Sequence, residues 1–227
     1  VTAESLARIA RDVVGCRRCP RLVAWREESA ANPPRRFRGE PYWARPLPAF
    51  GDPEARVLLV GLAPAAHGGN RTGRIFTGDA SGDFLFAALH AAGFANQARS
   101  ASRDDGLALS GVLVTAAARC APPGNRPTPA EFDRCRPYLV REIAALPRLR
   151  VVVALGGLAF DRTLKAFRSA GLEIPSPRPR FAHGSEARIG PYALLGAYHP
   201  SQQNTFTGRL TRPMLERVFR RARALSR

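Results

Sequence analysis

Four short apolar runs punctuate the chain, at 57–60, 112–115, 151–155 and 193–198. Each is rich in branched residues and none alternates apolar with polar. A strand with one wet face would alternate. A continuous run of this length implies a strand covered on both faces, as in the parallel sheets of α/β proteins.

The segments between the runs carry helical periodicity. One spans 84–92. Another opens at Thr128, where Thr128, Pro129 and Glu131 have the spacing of a capped first turn. A third runs over 158–170 and stops at Gly171; the last covers 213–225, with Met214, Leu215, Val218, Phe219 and Ala222 on its inner face. Residues 2–14 predict a short helix capped by Thr2 and stopped by Gly15. Residues 28–54 are rich in Pro, Arg and Gly and read as a long ordered loop, not a linker. The alternation predicts one α/β domain over residues 1–227 with a central parallel sheet.

In such sheets ligands bind beyond the carboxyl ends of the strands. The segments placed there are "GLAPAAHGG", "AAARCAPPGN", "GGLAF" and "HPSQQNTFTG". The first continues into "NRTGRIFTGD", a glycine-rich turn between strand and helix. It is not a phosphate-binding loop: Gly68 and Gly73 have the separation, but Arg74 and Ile75 stand where Lys and Ser or Thr are required. It contains no G-x-G-x-x-G fingerprint either.

Charge narrows the partner. Thirty-five Lys and Arg against 18 Asp and Glu give a formal charge of +17, which suits a polyanion such as nucleic acid. Lys165 is the sole lysine, so chemistry through a lysine imine is nearly excluded. No apolar run reaches 18 residues and no basic-then-apolar leader opens the sequence, so neither a membrane span nor a secretory signal is expected. A reducing compartment then disfavours disulfides. Cys16 and Cys19 form a C-x2-C pair, and Cys120 and Cys135 a wider one. Four thiolates suit either a tetrahedral zinc or an iron–sulfur cluster.

Taken together, "GLAPA" after the first run, "GGNRTGRIFTGD", "RRFRGEPYWARPLPAFGDP", "RCAPPGNRPTP" and the late "HPS" resemble the uracil-DNA glycosylase superfamily. The four cysteines point to its type B, or family-five, branch. The resemblance covers nearly the whole chain. It implies a three-layer α/β/α sandwich around a four-stranded parallel sheet, and a 4Fe-4S cluster on Cys16, Cys19, Cys120 and Cys135. It implies a monofunctional, monomeric enzyme of the prokaryotic cytoplasm and nucleoid. Such an enzyme hydrolyses the N-glycosidic bond of uracil in DNA and leaves an abasic site for base excision repair.

The resemblance also assigns roles. Phe76 matches the residue that stacks on the extruded base, and His199 the donor to the departing base. Ser201 opens the loop that touches DNA phosphate, with Gln202, Gln203 and Asn204 following towards the groove. Gly61 and Ala63 line the base site, and His67, Asn70 and Arg71 lie on the long first loop, expected to meet base or phosphate. His90 is expected to be structural and His183 to face solvent. Two positions depart from the strict uracil readers: Ala63 replaces a carboxylate or asparagine, and Ala116 an asparagine. That implies a looser pocket, open to hypoxanthine, xanthine or other damaged bases, with Asn125 as a substitute reader or an ordinary turn residue. Asp79 is the expected replacement for the missing carboxylate, orienting water, or else the N-cap of the next helix. A DNA-damage or single-strand binder without turnover, and a zinc-stapled nucleic-acid module, are the alternatives to an enzyme.

Overall fold

The computed structural model describes residues 5–227. The expected cap at Thr2 lies outside them. Helix α1 (Leu6–Val14) starts at Ser5, whose hydroxyl accepts the Arg8 N–H. Helix α2 (Pro20–Ala31) follows at once, with Pro20 at its first position. It takes in the first residues of the segment read as loop. The remainder, 32–54, is an irregular strap holding one 3₁₀ turn and the two-residue strand β1 (Phe50–Gly51).

The chain then builds β2 (Val57–Gly61), the short α3 (Gly69–Thr72), α4 (Ala80–Ala91) and β3 (Val112–Ala116). It continues through α5 (Pro129–Ala145), β4 (Val151–Leu155), α6 (Gly157–Ser169), β5 (Glu186–Ile189) and β6 (Tyr192–Ala197), and ends in α7 (Gln202–Phe206) and α8 (Arg212–Leu225). The capping box of α5 forms as its sequence predicts: Thr128 Oγ1 accepts the Glu131 N–H at 3.3 Å, and Glu131 accepts the Thr128 N–H at 2.7 Å.

The sheet has six strands in the order β1-β3-β2-β4-β6-β5. Its middle four are the expected parallel strands; β1 and β5 add antiparallel edges. Neither edge strand could be read from hydrophobicity, because β1 is only two residues long and β5 is partly exposed. Val57 pairs with Val112 and Val151, and Val151 with Ala193, so the four parallel strands run in step. Their carboxyl ends, Gly61, Ala116, Leu155 and Ala197, therefore form one rim.

Alternate strand residues point to opposite faces. Val57, Leu59, Val153 and Leu195 pack with Leu85, Phe86 and Leu89 of α4 and with Leu215, Val218 and Phe219 of α8. Leu58, Val60, Val152 and Leu194 pack with Leu139 and Ile143 of α5 and with Phe160, Leu164 and Phe167 of α6. Both faces are dry, which is why the runs show no alternation. Helix α1 lies outside this layer: Ile9 and Val13 pack on Tyr138 of α5.

Candidate active site

The rim gathers the segments that follow each parallel strand. Gly61 closes β2, and a Cβ there would sit 2.7 Å from the Phe76 ring. The aromatic thus lies directly on the strand end, and only glycine permits the approach. Phe76 is 8% exposed and takes a left-handed backbone, φ +53. A phenylalanine in that region costs of order 1–3 kcal/mol, a strain that concentrates at functional sites. The His199 ring lies across from it, centroid to centroid 5.9 Å at 37°.

His199 follows β6 and is half-buried; a Cβ on Gly156, the residue before α6, would come within 3.4 Å of its own. Burial pushes its pKa down to about 4, so the imidazole is neutral at pH 7 and offers a hydrogen bond rather than a charge. Asn204 Nδ2 donates to the His199 carbonyl at 2.8 Å. That amide, expected at the DNA groove, pins the turn carrying His199. His183 does not face solvent. It is half-buried, and its Nδ1 accepts the Tyr198 N–H at 3.1 Å, fixing the same turn from the other side. His90 is exposed in the last turn of α4.

Asp79 caps α4, its Oδ1 accepting the Gly82 N–H at 2.9 Å. Its other oxygen lies against Gly68: a Cβ on Gly68 would come within 2.1 Å of Oδ2. Burial pushes this carboxyl up, against the pull of the Gly82 and Ser81 N–H groups. Ala63 is half-buried and packs with Leu62 against Ala117, Ala118 and Phe132. Ala116 is buried at the end of β3. Asn125 is exposed in the 3₁₀ turn Pro123–Asn125, at φ +57.

The first loop is organised by side chains whose partners the sequence does not announce. Asn70 is 1% exposed and donates to the carbonyls of Arg26 at 3.1 Å and Ala66 at 3.3 Å. In this arrangement its amide nitrogen is committed to the loop interior, while its Oδ1 is buried without a partner. Arg71 is a clip. Its Nε donates to His67 O at 2.9 Å and Nη2 to Gly78 O at 3.2 Å, it pairs with Glu40, and its guanidinium stacks 4.2 Å from the Phe37 ring. It ties the strap, the loop and the turn bearing Phe76 together. His67 Nδ1 meets the Tyr42 hydroxyl at 2.9 Å, so it too is braced by the strap.

After His199, Ser201 is half-buried at the start of α7, and Gln202 and Gln203 are exposed. Sequence reading missed the last residue of that helix. Phe206 is 80% exposed. Its signal is a large apolar residue in a polar segment with no helical partner.

The four cysteines come together around one small pocket, which Leu22, Val23, Pro46 and Tyr138 also line. Cys19, Cys120 and Cys135 are buried. Among the described residues no three His, Cys, Asp or Glu side chains converge tightly enough for a single metal ion. Arg26 and Arg119, each 2% exposed, stand beside the thiols. Arg26 Nη1 donates to Cys120 Sγ at 3.1 Å, and Arg119 Nη2 pairs with Glu142 at 2.6 Å. Arg26 Nε and Arg119 Nε and Nη1 are buried without a partner. Buried cationic donors left so are costly unless an anion lies nearby, and an anionic group held by the four thiolates would meet that need.

Residues 48–223 match the family described as the Uracil DNA glycosylase superfamily. A type-5 uracil-DNA glycosylase of Thermus thermophilus is 54% identical over 215 residues, 94% of this chain and 95% of the relative. One of Mycobacterium leprae is 50% identical over 228 residues, 99% and 97% of the two chains. A type-4 uracil-DNA glycosylase of Archaeoglobus fulgidus is 32% identical over 157 residues, 69% and 62%.

Proposed function

Because the chain belongs to the uracil-DNA glycosylase superfamily, on its type-5 branch, we propose that it hydrolyses the bond joining uracil to deoxyribose in DNA. The whole chain acts as one domain and as a monomer. No helix among the described residues is long and apolar enough to cross a membrane, in keeping with an enzyme of the cytoplasm and nucleoid.

The observation that carries this reading is the meeting of Phe76 and His199 above Gly61, at the rim where the sheet delivers its loops. A base inside a duplex cannot reach that rim and must be extruded. The face of Phe76 is its platform, and such stacking is worth roughly 1–3 kcal/mol per base. As the glycosidic bond breaks, its electron pair leaves with the base and negative charge gathers on a ring carbonyl oxygen. The neutral His199 N–H donates to that oxygen. Water adds to the sugar carbon, and the proton it loses is taken up in the end by the expelled base anion, giving free base and an abasic sugar. Asp79 Oδ2, the oxygen not used as a cap, orients that water and offsets charge on the sugar. With alanine at 63 and 116, little side-chain reading of the base is left, which supports acceptance of hypoxanthine and xanthine as well. Asn125, exposed in the turn after β3, is the substitute reader. The sole lysine, Lys165, sits on α6 paired with Asp161 at 3.7 Å, which supports hydrolysis by water that leaves the strand intact. Ser201, Gln202 and Gln203 meet the backbone, and Phe206 enters the stack as an apolar wedge.

Cys16, Cys19, Cys120 and Cys135 would hold a 4Fe-4S cluster, which supplies a multiply anchored fastening rather than chemistry at the sugar. Its negative charge would answer the unpartnered N–H groups of Arg26 and Arg119. The test is single-turnover incubation with a uracil-containing duplex: free uracil and an alkali-labile, uncleaved strand are expected. Tight binding without release of uracil would overturn the assignment in favour of a damage binder.

A further inference from the structure

The pole opposite the active site carries a second basic feature. Two adjoining grooves there share Gly93, Arg223 and Arg227; Arg56 lines one and Arg220 and His90 the other. Arg56 immediately precedes β2, and Gly111, at the edge of the first groove, precedes β3. The grooves therefore lie at the amino ends of the parallel strands. Helix α4 starts beside Phe76 and ends at the grooves, and its 12 residues at 1.5 Å rise span about 18 Å. A straight duplex engaged at the rim does not reach this pole.

The arginines are held in place. Arg56 Nη1 donates to Ser226 O at 3.0 Å, and Arg223 Nη1 to Ala92 O at 2.7 Å. Each keeps its remaining N–H groups for a ligand. Arg220 pairs with Glu216 at 2.6 Å. Among the described residues no Asp or Glu side chain lines either groove. Fixed guanidinium forks suit phosphate, which they grip through paired donors. An acidic peptide would also need an apolar anchor. The exposed large apolar residues, Trp25, Leu158 and Phe206, lie on α2, α6 and α7, away from the grooves.

We propose that this pole binds the phosphate backbone of a second DNA segment, so that one molecule bridges two segments and passes between them without first dissociating. The inference rests on DNA being the substrate, as proposed above. Its test does not require turnover. The enzyme is loaded on a labelled duplex carrying a 2′-fluoro deoxyuridine, which resists hydrolysis, and release is followed as unlabelled duplex is added. Release that quickens with competitor concentration is expected. In an Arg56→Gln/Arg220→Gln protein, release becomes independent of competitor, and the salt slope for the second segment flattens by about 1.8 for two lost contacts. Arg56→Lys/Arg220→Lys, which keeps the charge, retains the response. Excision of uracil from a short duplex stays unchanged in both, whatever small loss in melting temperature follows from the contacts to Ser226 and Glu216. Competitor-independent release by the native protein overturns the proposal. So does saturable binding of a polyglutamate peptide that the Gln variant loses while its release still responds to competitor. Absent excision with competitor-dependent release would sink the enzymatic reading and leave this one standing.

Discussion

His199 sets two expectations at the scale of single residues. His199→Ala removes the donor to the leaving base and should slow single-turnover excision by about 10²–10³-fold with DNA affinity little changed. The same residue bears on stability. Its folded pKa of about 4 lies below the unfolded 6.5, so the unfolded chain takes up the proton first. The neutral histidine's contribution is complete above about pH 6.5 and is lost as pH falls towards 4. Thermal melting over that window should show a decline that His199→Gln reduces. Gly61 tests the seat of Phe76. Gly61→Ala places a methyl 2.7 Å from the ring and should depress excision by displacing the stacking platform. If excision is unchanged, Phe76 is not the platform. Phe76 and His199 could be singled out from the sequence because the motifs around them are local, and the structure sets their rings 5.9 Å apart. Asn70, Arg71 and His183 could not, since their roles depend on Arg26, Glu40 and Tyr198, which are distant in the chain.

Two helices, α4 and α7, carry tests at the level of elements. Asp79 both caps α4 and faces Gly68, and the two roles separate by substitution. Asp79→Asn keeps an acceptor for the Gly82 N–H, so melting should hold while excision drops about 10²-fold. Asp79→Ala should lose the same rate and about 1 kcal/mol of stability as well. An Asn variant with full activity would leave the residue a cap alone. Phe206 at the end of α7 is 80% exposed; Phe206→Ala should weaken excision from duplex more than from single-stranded DNA, because only the duplex needs a wedge. Helices with strong local signals, such as α5 with its capping box, were readable. Helix α2 was not, because it buries Arg26 and Ser29 beside Leu22 and Val23, and that face shows no clean apolar period.

For the whole molecule, the cysteine cavity is the fastening to test. It joins α1 and α2 to the loop after β3 and to α5, so losing a ligand should loosen the N-terminal segment first. Purified protein should contain about four irons per chain. Cys16→Ser should lower iron content and make residues 5–31 the first site of proteolysis, well before uracil excision fails. Stoichiometric zinc in protein prepared without oxygen would overturn the cluster.

The sequence by itself determined the parallel centre of the sheet, the helix starts at Thr128 and Asp79, and the chain's own strongly basic charge. Those properties are written in continuous apolar runs, in local capping chemistry and in the charge balance, none of which needs a distant contact. Tertiary structure alone decided the two antiparallel edge strands and the interior commitment of Asn70. It also decided the clip made by Arg71, the neutral state of His199 and the gathering of cysteines more than a hundred residues apart around one pocket. Each of these depends on which remote group arrives beside the residue and how much water it excludes, and the order of amino acids along the chain does not state either.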